Sequence, residues 1–476
     1  MLEVIVMETI QKFVKERNIK MLDLKYVDLV GRWRHVTLPV SKLQDTLFVE
    51  GVGFDGSSVP GFATVEAGDL NIIPDAATVF QDPFWETPTL SMICDVVYAD
   101  TKRSYPLDPR FVAKKAEKYL IETGIADKIL FNPELEFYVF DNVRYWQDER
   151  SGFYIIDSCE APWSWMKDYP NMGYKITSGG YEITPPLDVF SNIRNEIATL
   201  MDECHIPLKY HHHEGGIAQQ EIEIDLLPLL KAADAILLTK YIVRNVFLKH
   251  GKTVTFMPKP LYQRPGNGMH LHQCLFKGGK PLFYEAGKYG DLSETALYYI
   301  GGLLTHAPAL TAFTNPSINS YKRLVPGFEA PVKLFFSIAN RTACIRIPAY
   351  AVRPEEKRIE YRPPDATCNP YLALAAMLMA GIDGIQRKLD PTALGYGPID
   401  KNVEKLTEEE KAKIKSLPTR LEESLEALEE DHDFLMKGGV FTKELIDAWL
   451  KYKMEKEVIP FRERLHPYEF QLYFDI

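Results

Sequence analysis

Phe131-Asn132-Pro133-Glu134-Leu135-Glu136-Phe137-Tyr138-Val139 alternates charged and apolar side chains with the period of a β-strand. Residues two apart on a strand share a face, so Glu134 and Glu136 stand together while Leu135, Phe137 and Val139 point into a core. Neighbouring carboxylates repel. The same spacing recurs with Glu221 and Glu223 in Gln220-Glu221-Ile222-Glu223-Ile224, with His270 and His272 in Gly268-Met269-His270-Leu271-His272, and with Glu360 and Arg362 in Arg358-Ile359-Glu360-Tyr361-Arg362. Singly, each pair also fits a strand with one wet face. Jointly, such strands in one domain would line a cavity where acids, imidazoles and guanidiniums neutralise one another.

Cations would relieve the repulsion. Glutamates with an occasional histidine are hard, mostly oxygen ligands, suited to Mg²⁺ or Mn²⁺ rather than to structural zinc. His211-His212-His213-Glu214 adds ligands of the same kind, although adjacent histidines cannot all face one ion. Between Lys322 and Arg362 lies a cationic cluster, with Arg323, Arg341, Arg346, Arg353 and Arg358. Guanidinium forks match carboxylate and phosphate oxygens, and Arg341 and Arg346 sit in a mainly uncharged stretch. The residues alone point to a two-metal phosphoryl-transfer enzyme acting on a small acidic substrate.

Away from these strands, Val6, Ile10, Phe13 and Val14 recur at helical spacing and Leu22 to Tyr26 alternates like a half-buried strand, with Gly31 as a hairpin turn, so a small α+β unit opens the chain. A polar, proline-containing connection from Ala99 to Pro109 divides it from the rest, giving domains 1–103 and 104–476. Helical patterns run over Ala113 to Thr123, Leu226 to Lys249, Glu294 to Phe313 and Tyr371 to Lys388, and Leu406 to Lys456 is mostly helical, with an exposed start at Glu408. Gly51-Val52-Gly53-Phe54-Asp55-Gly56 satisfies the dinucleotide fingerprint, but Pro60 and Gly61 follow where a helix must open, so the segment is a loop. No phosphate-binding G-x-x-x-x-G-K-[ST] occurs.

The 476 residues are enough for two or three domains, and 46% apolar with 25% charged residues is a globular composition. A net charge of -11 argues against nucleic-acid or anionic-membrane partners. No apolar run approaches the ~18 residues of a membrane span, and the first residues lack a signal peptide's basic start. The six cysteines form no C-x-x-C pair, so a cytoplasmic location is expected.

The motifs resemble those of type I glutamine synthetases nearly end to end: Phe54-Asp55-Gly56-Ser57-Ser58, Pro133-Glu134-Leu135-Glu136-Phe137, His212-His213-Glu214, Phe256-Met257-Pro258-Lys259-Pro260-Leu261, Gly268-Met269-His270-Leu271-His272-Gln273, Asn319 through Pro331, and Asn369-Pro370-Tyr371-Leu372-Ala373. The resemblance implies an α+β fold, with a small β-grasp-like N-terminal domain and a large catalytic domain built on an antiparallel β-barrel flanked by helices. It implies a dodecamer of two hexameric rings with active sites between subunits.

It further implies ATP-dependent ligation of ammonia to the γ-carboxylate of glutamate through γ-glutamyl phosphate. One metal would be held by Glu136, Glu214 and Glu221, another by Glu134, His270 and Glu360, leaving Glu223 and His272 outside the ligand set. Arg323, Arg362 and the Gly266 backbone would hold glutamate. His272, Cys274, Arg341, Arg346 and Arg358 would serve ATP. Ammonium would sit among Glu214, Tyr181, Glu329 and, from the adjacent subunit, Asp55 and Ser58, with Asp55 taking its proton and Glu329 shielding the acyl phosphate.

Some positions depart from the family pattern. Pro265 replaces an asparagine, Cys274 a serine, Ala218 a glycine and Pro363 a phenylalanine. Glu404 stands where adenylylated members carry a tyrosine, and Thr64 where an arginine would mediate glutamine feedback, so neither control is expected. The rival readings are a ligase for larger amines such as putrescine or ethanolamine, and a silent ring-forming homologue. Retention of Asp55, Ser58, Tyr181 and Glu329 opposes the first; intact ligands and arginines oppose the second.

Overall fold

The computed structural model describes residues 2–164, 173, 175–176, 179–401 and 403–476, without the side chains of residues 2–7 and 404. The expected difference at Glu404 therefore lies outside the described side chains. After the helix Leu2–Glu16, Met21–Val27 pairs antiparallel with Trp33–Pro39 and parallel with Thr89–Tyr98. Asp69–Pro74 and Val52–Asp55 extend this sheet beyond Thr89–Tyr98. The hairpin expected at Gly31 is present, and Gly31 has φ +87°, a conformation in which a side chain is strained. A Cβ there would also come within 2.9 Å of the Asn369 Cα, so the turn seats directly on the start of the helix Pro370–Arg387. Val52–Asp55 runs into a short turn of helix at Gly56–Ser58, and no dinucleotide-type helix opens there.

A second sheet, ten-stranded among the described residues, is organised around the long strand Lys128–Phe140. Gln219–Ile224 lies antiparallel on one side of it and Met269–Lys277 on the other; Ile359–Tyr361, Ala343–Ile347 and Lys333–Ile338 follow. Lys333–Ile338 runs parallel to its neighbour, a departure from a purely antiparallel sheet. Pro133 has no N–H to contribute, and it sits where Lys128–Phe140 passes from one partner, Leu227–Pro228, to the next, Gln219–Ile224.

Register brings the polar faces together. Glu136 stands opposite Glu221, Glu134 opposite both Glu223 and His270, and Glu360 opposite both His272 and Arg346. Behind the sheet pack Pro109–Glu122, Leu229–Lys249 and Pro370–Arg387, the last buried almost all round. The single helix expected from Glu294 to Phe313 is two, Glu294–Thr305 and Ala307–Thr314. Pro308 cannot continue the preceding turn, and at the break the buried His306 is clasped by Asp383 at 2.8 Å and Asp431 at 2.7 Å. No helix is long and apolar enough to cross a membrane among the described residues.

Candidate active site

The polar side of the second sheet is the floor of a cavity. Its walls come from the loops at Tyr181, Glu214, Pro265 to Gly266 and Phe328 to Ala330, and from Arg341 and Tyr350. Two trios of donors converge in it: Glu136, Glu214 and Glu221, and Glu134, His270 and Glu360, the atoms of each lying within 4.8 Å of one another.

The charge in this space does not balance by itself. Burial, followed by Glu136 and Glu221, pushes the Glu214 carboxyl up to about 8, and burial with Glu134 and Glu136 raises Glu221 well above its usual range. Glu214 Oε2 is buried without a hydrogen-bond partner. A carboxylate-rich donor set with one imidazole, an orphaned oxygen and mutually repelling acids fits hard divalent cations.

Glu360 is held differently. Burial works against its ionised form, yet Arg362 and Arg346, each at 2.5 Å, bring its carboxyl down to about 2. A third trio, Glu134, Glu223 and His272, also falls within 4.8 Å, but Glu223 already carries Lys209 at 2.6 Å.

Close backbone approach places Arg323. A Cβ on Gly268 would lie 2.5 Å from its Nη2, and one on Gly266 would lie 2.7 Å from its Cγ. The buried Arg323 guanidinium donates to the carbonyls of Pro363 (2.6 Å), Pro364 (3.3 Å) and Arg362 (3.2 Å). Burial outweighs the pull of Glu136 and lowers its pKa, so an incoming carboxylate would be stabilised there.

The chain that builds this cavity of interleaved acids and guanidiniums resembles known proteins. Residues 106–473 match the family model for the glutamine synthetase catalytic domain, and residues 18–99 match that for the glutamine synthetase β-grasp domain. The chain belongs to the glutamine synthetase family. A glutamine synthetase of Frankia alni is 49% identical over 473 residues, 98% of this chain and 99% of that one. Another, of Nostoc sp., is 47% identical over 475 residues, again 98% and 99%. The solved structure of Plasmodium falciparum glutamine synthetase superposes with a TM-score of 0.88 at 29% identity and covers 98% of both chains. The fold is accordingly the β-grasp domain plus glutamine synthetase catalytic domain expected from the sequence, and the activity class is glutamate–ammonia ligase.

Most glutamine synthetase residues named from the sequence line this cavity: the two trios, Tyr181, Gly266, Arg323, Glu329, Arg341, Arg346 and Arg362. Others do not. His272 is buried beneath the floor, its Nε2 2.8 Å from Glu134 Oε1. Cys274, one step further along that face, is buried with its thiol pushed up to about 12 by burial. Arg358 is buried outside the lining, its guanidinium 5.4 Å from the ring of the cavity residue Tyr350, which Arg346 also approaches at 5.7 Å. Asp55 and Ser58 belong to the other sheet's loop and do not line the chain's own cavity.

Sequence reasoning missed Tyr350 as the shared platform of two arginines, and Gln219, whose amide joins the Gly266 carbonyl (3.0 Å) to Asn267 (3.0 Å). The signal for Tyr350 was its place between Arg346 and Arg358; Gln219 gave none. The departures acquire physical meaning. Ala218 has φ +60°, a left-handed conformation that a glycine adopts without strain. Pro363 serves Arg323 through its carbonyl, which any side chain leaves available.

Proposed function

We propose that the chain joins ammonia to the γ-carboxylate of L-glutamate through γ-glutamyl phosphate at the expense of ATP, in the cavity just described. The observation that carries this reading is the pair of donor trios lining one small space together with Arg323, Arg341, Arg346 and Arg362. Glu136, Glu214 and Glu221 would hold one Mg²⁺ or Mn²⁺, and Glu134, His270 and Glu360 a second. Bound there, the ions supply charge neutralisation for the nucleotide phosphates and for the phosphoryl group in flight.

Arg323 and Arg362, with the Gly266 backbone, receive glutamate. Arg341 and Arg346 compensate the charge growing on the transferred group. His272, Cys274 and Arg358 stand on the nucleotide side, His272 by orienting Glu134. Tyr181, Glu214 and Glu329 make the ammonium pocket, and Glu329 covers the acyl phosphate against water.

Asp55 completes that pocket from a neighbouring subunit, where it takes the ammonium proton. Its carboxylate is exposed and oriented by the hydroxyls of Ser57 and Ser58, each at 2.6 Å, whose hydrogen bonds lower its pKa. A dodecamer of two hexameric rings is part of this reading. Two apolar surfaces support an assembly: the hairpin Asn142–Gln147 with Gly152–Asp157, and the exposed C-terminal residues that include Leu465, Phe474 and Ile476. The reading keeps the domain division at 103/104, supported by the gap between the two family matches, and a cytoplasmic location.

Two outcomes test it. Purified protein with ATP, glutamate and ammonium should form glutamine, lose that activity to a chelator and regain it with Mg²⁺ or Mn²⁺. Activity indifferent to the chelator would reject the cation sites. Asp55→Ala should leave ATP affinity within about twofold and lower kcat/KM for ammonium by ~10²- to 10⁴-fold, as loss of a positioned base does; unchanged turnover at low ammonium would remove Asp55 from the mechanism.

A further inference from the structure

The loop that carries Glu329 is held in an unfavourable backbone conformation. Gly327, Phe328 and Glu329 have φ of +97°, +52° and +57°, and for the last two this is a region that L side chains rarely adopt. Such a run persists only where neighbours hold it. Phe328 is 52% exposed, so core packing does not fix it.

Among the described residues, the Arg341 charge acts on Glu329 and Lys259 touches the Phe328 ring. The Lys259 ammonium lies 4.3 Å from the centroid of the Phe328 ring, well inside cation–π range. Lys259 is itself anchored: its backbone N–H donates to Asn319 Oδ1 at 2.7 Å, Asn319 Nδ2 donates to its carbonyl at 3.2 Å, and its ammonium donates to the carbonyl of Arg264. Asn319 precedes the helix Ser320–Arg323, and Arg264 precedes Pro265 and Gly266 in the cavity wall. Lys259 thus joins the wall proposed to receive glutamate to the loop proposed to cover the acyl phosphate.

We propose that Lys259 is a positioning residue for the Glu329 loop, its ammonium tethered to the glutamate side of the cavity and latching the Phe328 ring so that Glu329 faces the reacting groups. This rests on the glutamine synthetase reading. The latch touches no reacting atom and acts through Phe328. Its failure would leave glutamate bound and phosphorylated but the intermediate open to water, so ATP would be spent without glutamine being made.

The test compares the intact wild-type assembly with Lys259→Met, Lys259→Arg and Phe328→Leu, measuring ATP hydrolysed per glutamine formed at limiting ammonium. Lys259→Met and Phe328→Leu should both raise that ratio by about fivefold and raise the ammonium KM similarly, with the glutamate KM nearly unchanged. Lys259→Arg should restore the wild-type ratio, because a guanidinium also stacks on an aromatic face. A wild-type ratio in either Lys259→Met or Phe328→Leu overturns the latch. Hydrogen exchange of residues 326–331 reads the same contact without catalysis: it should quicken about fivefold in Lys259→Met and Phe328→Leu but not in Lys259→Arg. Should wild-type protein make no glutamine, the proposed function falls, and the exchange result alone decides for or against the latch.

Discussion

Glu360→Gln should lower kcat/KM for glutamine formation by about 10³-fold, ~4 kcal/mol of transition-state stabilisation, while leaving a folded protein. Glu360 is fully buried, belongs to the trio with Glu134 and His270, and takes Arg362 on one carboxylate oxygen and Arg346 on the other. A glutamine of the same shape offers one acceptor and one donor, so one guanidinium meets an N–H₂ group where it had an anion. The trio loses one of its two carboxylates at the same time. Mn²⁺ affinity, measured by equilibrium dialysis, should therefore fall together with activity, by about tenfold or more. Glu360→Asp keeps the charge and should retain more of both. Activity within tenfold of wild type, in protein whose melting curve is unchanged, would show that Glu360 is not the hub of this cavity.

The periodicity of single strands made the same-face pairs around that hub legible before any fold was known, while the trio itself came from the family resemblance. Residues two apart share a face, so Glu134 with Glu136, and Glu360 with Arg362, needed only the pattern of their neighbours. Which strands would lie side by side depends on pairings between residues as distant as Glu134 and His270, and no local pattern encodes that register. The same limit explains His272. It shares a face with His270, yet the sheet buries it against Glu134 while His270 lines the cavity. The break at His306 was missed because Glu294 to Phe313 is apolar at helical spacing on both sides of it. Pro308 was the available signal, since proline tolerates the first turn of a new helix better than the interior of an old one. The left-handed run at Phe328 and Glu329 had no signal beyond Gly327, because a strained conformation is imposed by tertiary contacts.

Arg110→Leu should destabilise the fold by ~3–5 kcal/mol, the usual consequence of removing one partner from a buried ionic cluster. Arg110 is 1% exposed and is the second residue of the helix Pro109–Glu122, where the small sheet meets the catalytic domain. Its guanidinium binds Asp75 at 2.8 Å and Asp95 at 2.7 Å from the small sheet's side, and Asp234 at 3.1 Å on the helix Leu229–Lys249. Tyr371 also donates to Asp234, at 2.5 Å. Leucine would leave three carboxylates facing one another with Lys114, 2.5 Å from Asp95, as the remaining cation of the cluster. Lysine in place of Arg110 keeps a charge but not a planar fork that reaches all three, so Arg110→Lys should fall between the two. The pH dependence has a definite sign. Burial alone would raise the Asp75 pKa, but Arg110 brings it below the usual carboxylate range, so its contribution is present above the unfolded value of ~3.9 and lost as pH falls through the folded one. The gap between wild type and Arg110→Leu in urea denaturation at equal protein concentration should be widest near neutral pH and close toward acid. A gap below ~1 kcal/mol at pH 7, or one that widens toward acid, would mean that the apolar contacts of the small domain with the helix Leu229–Lys249, such as Trp33 and Phe84 against Tyr241, and not this charge cluster, hold the Asp55 loop in its place.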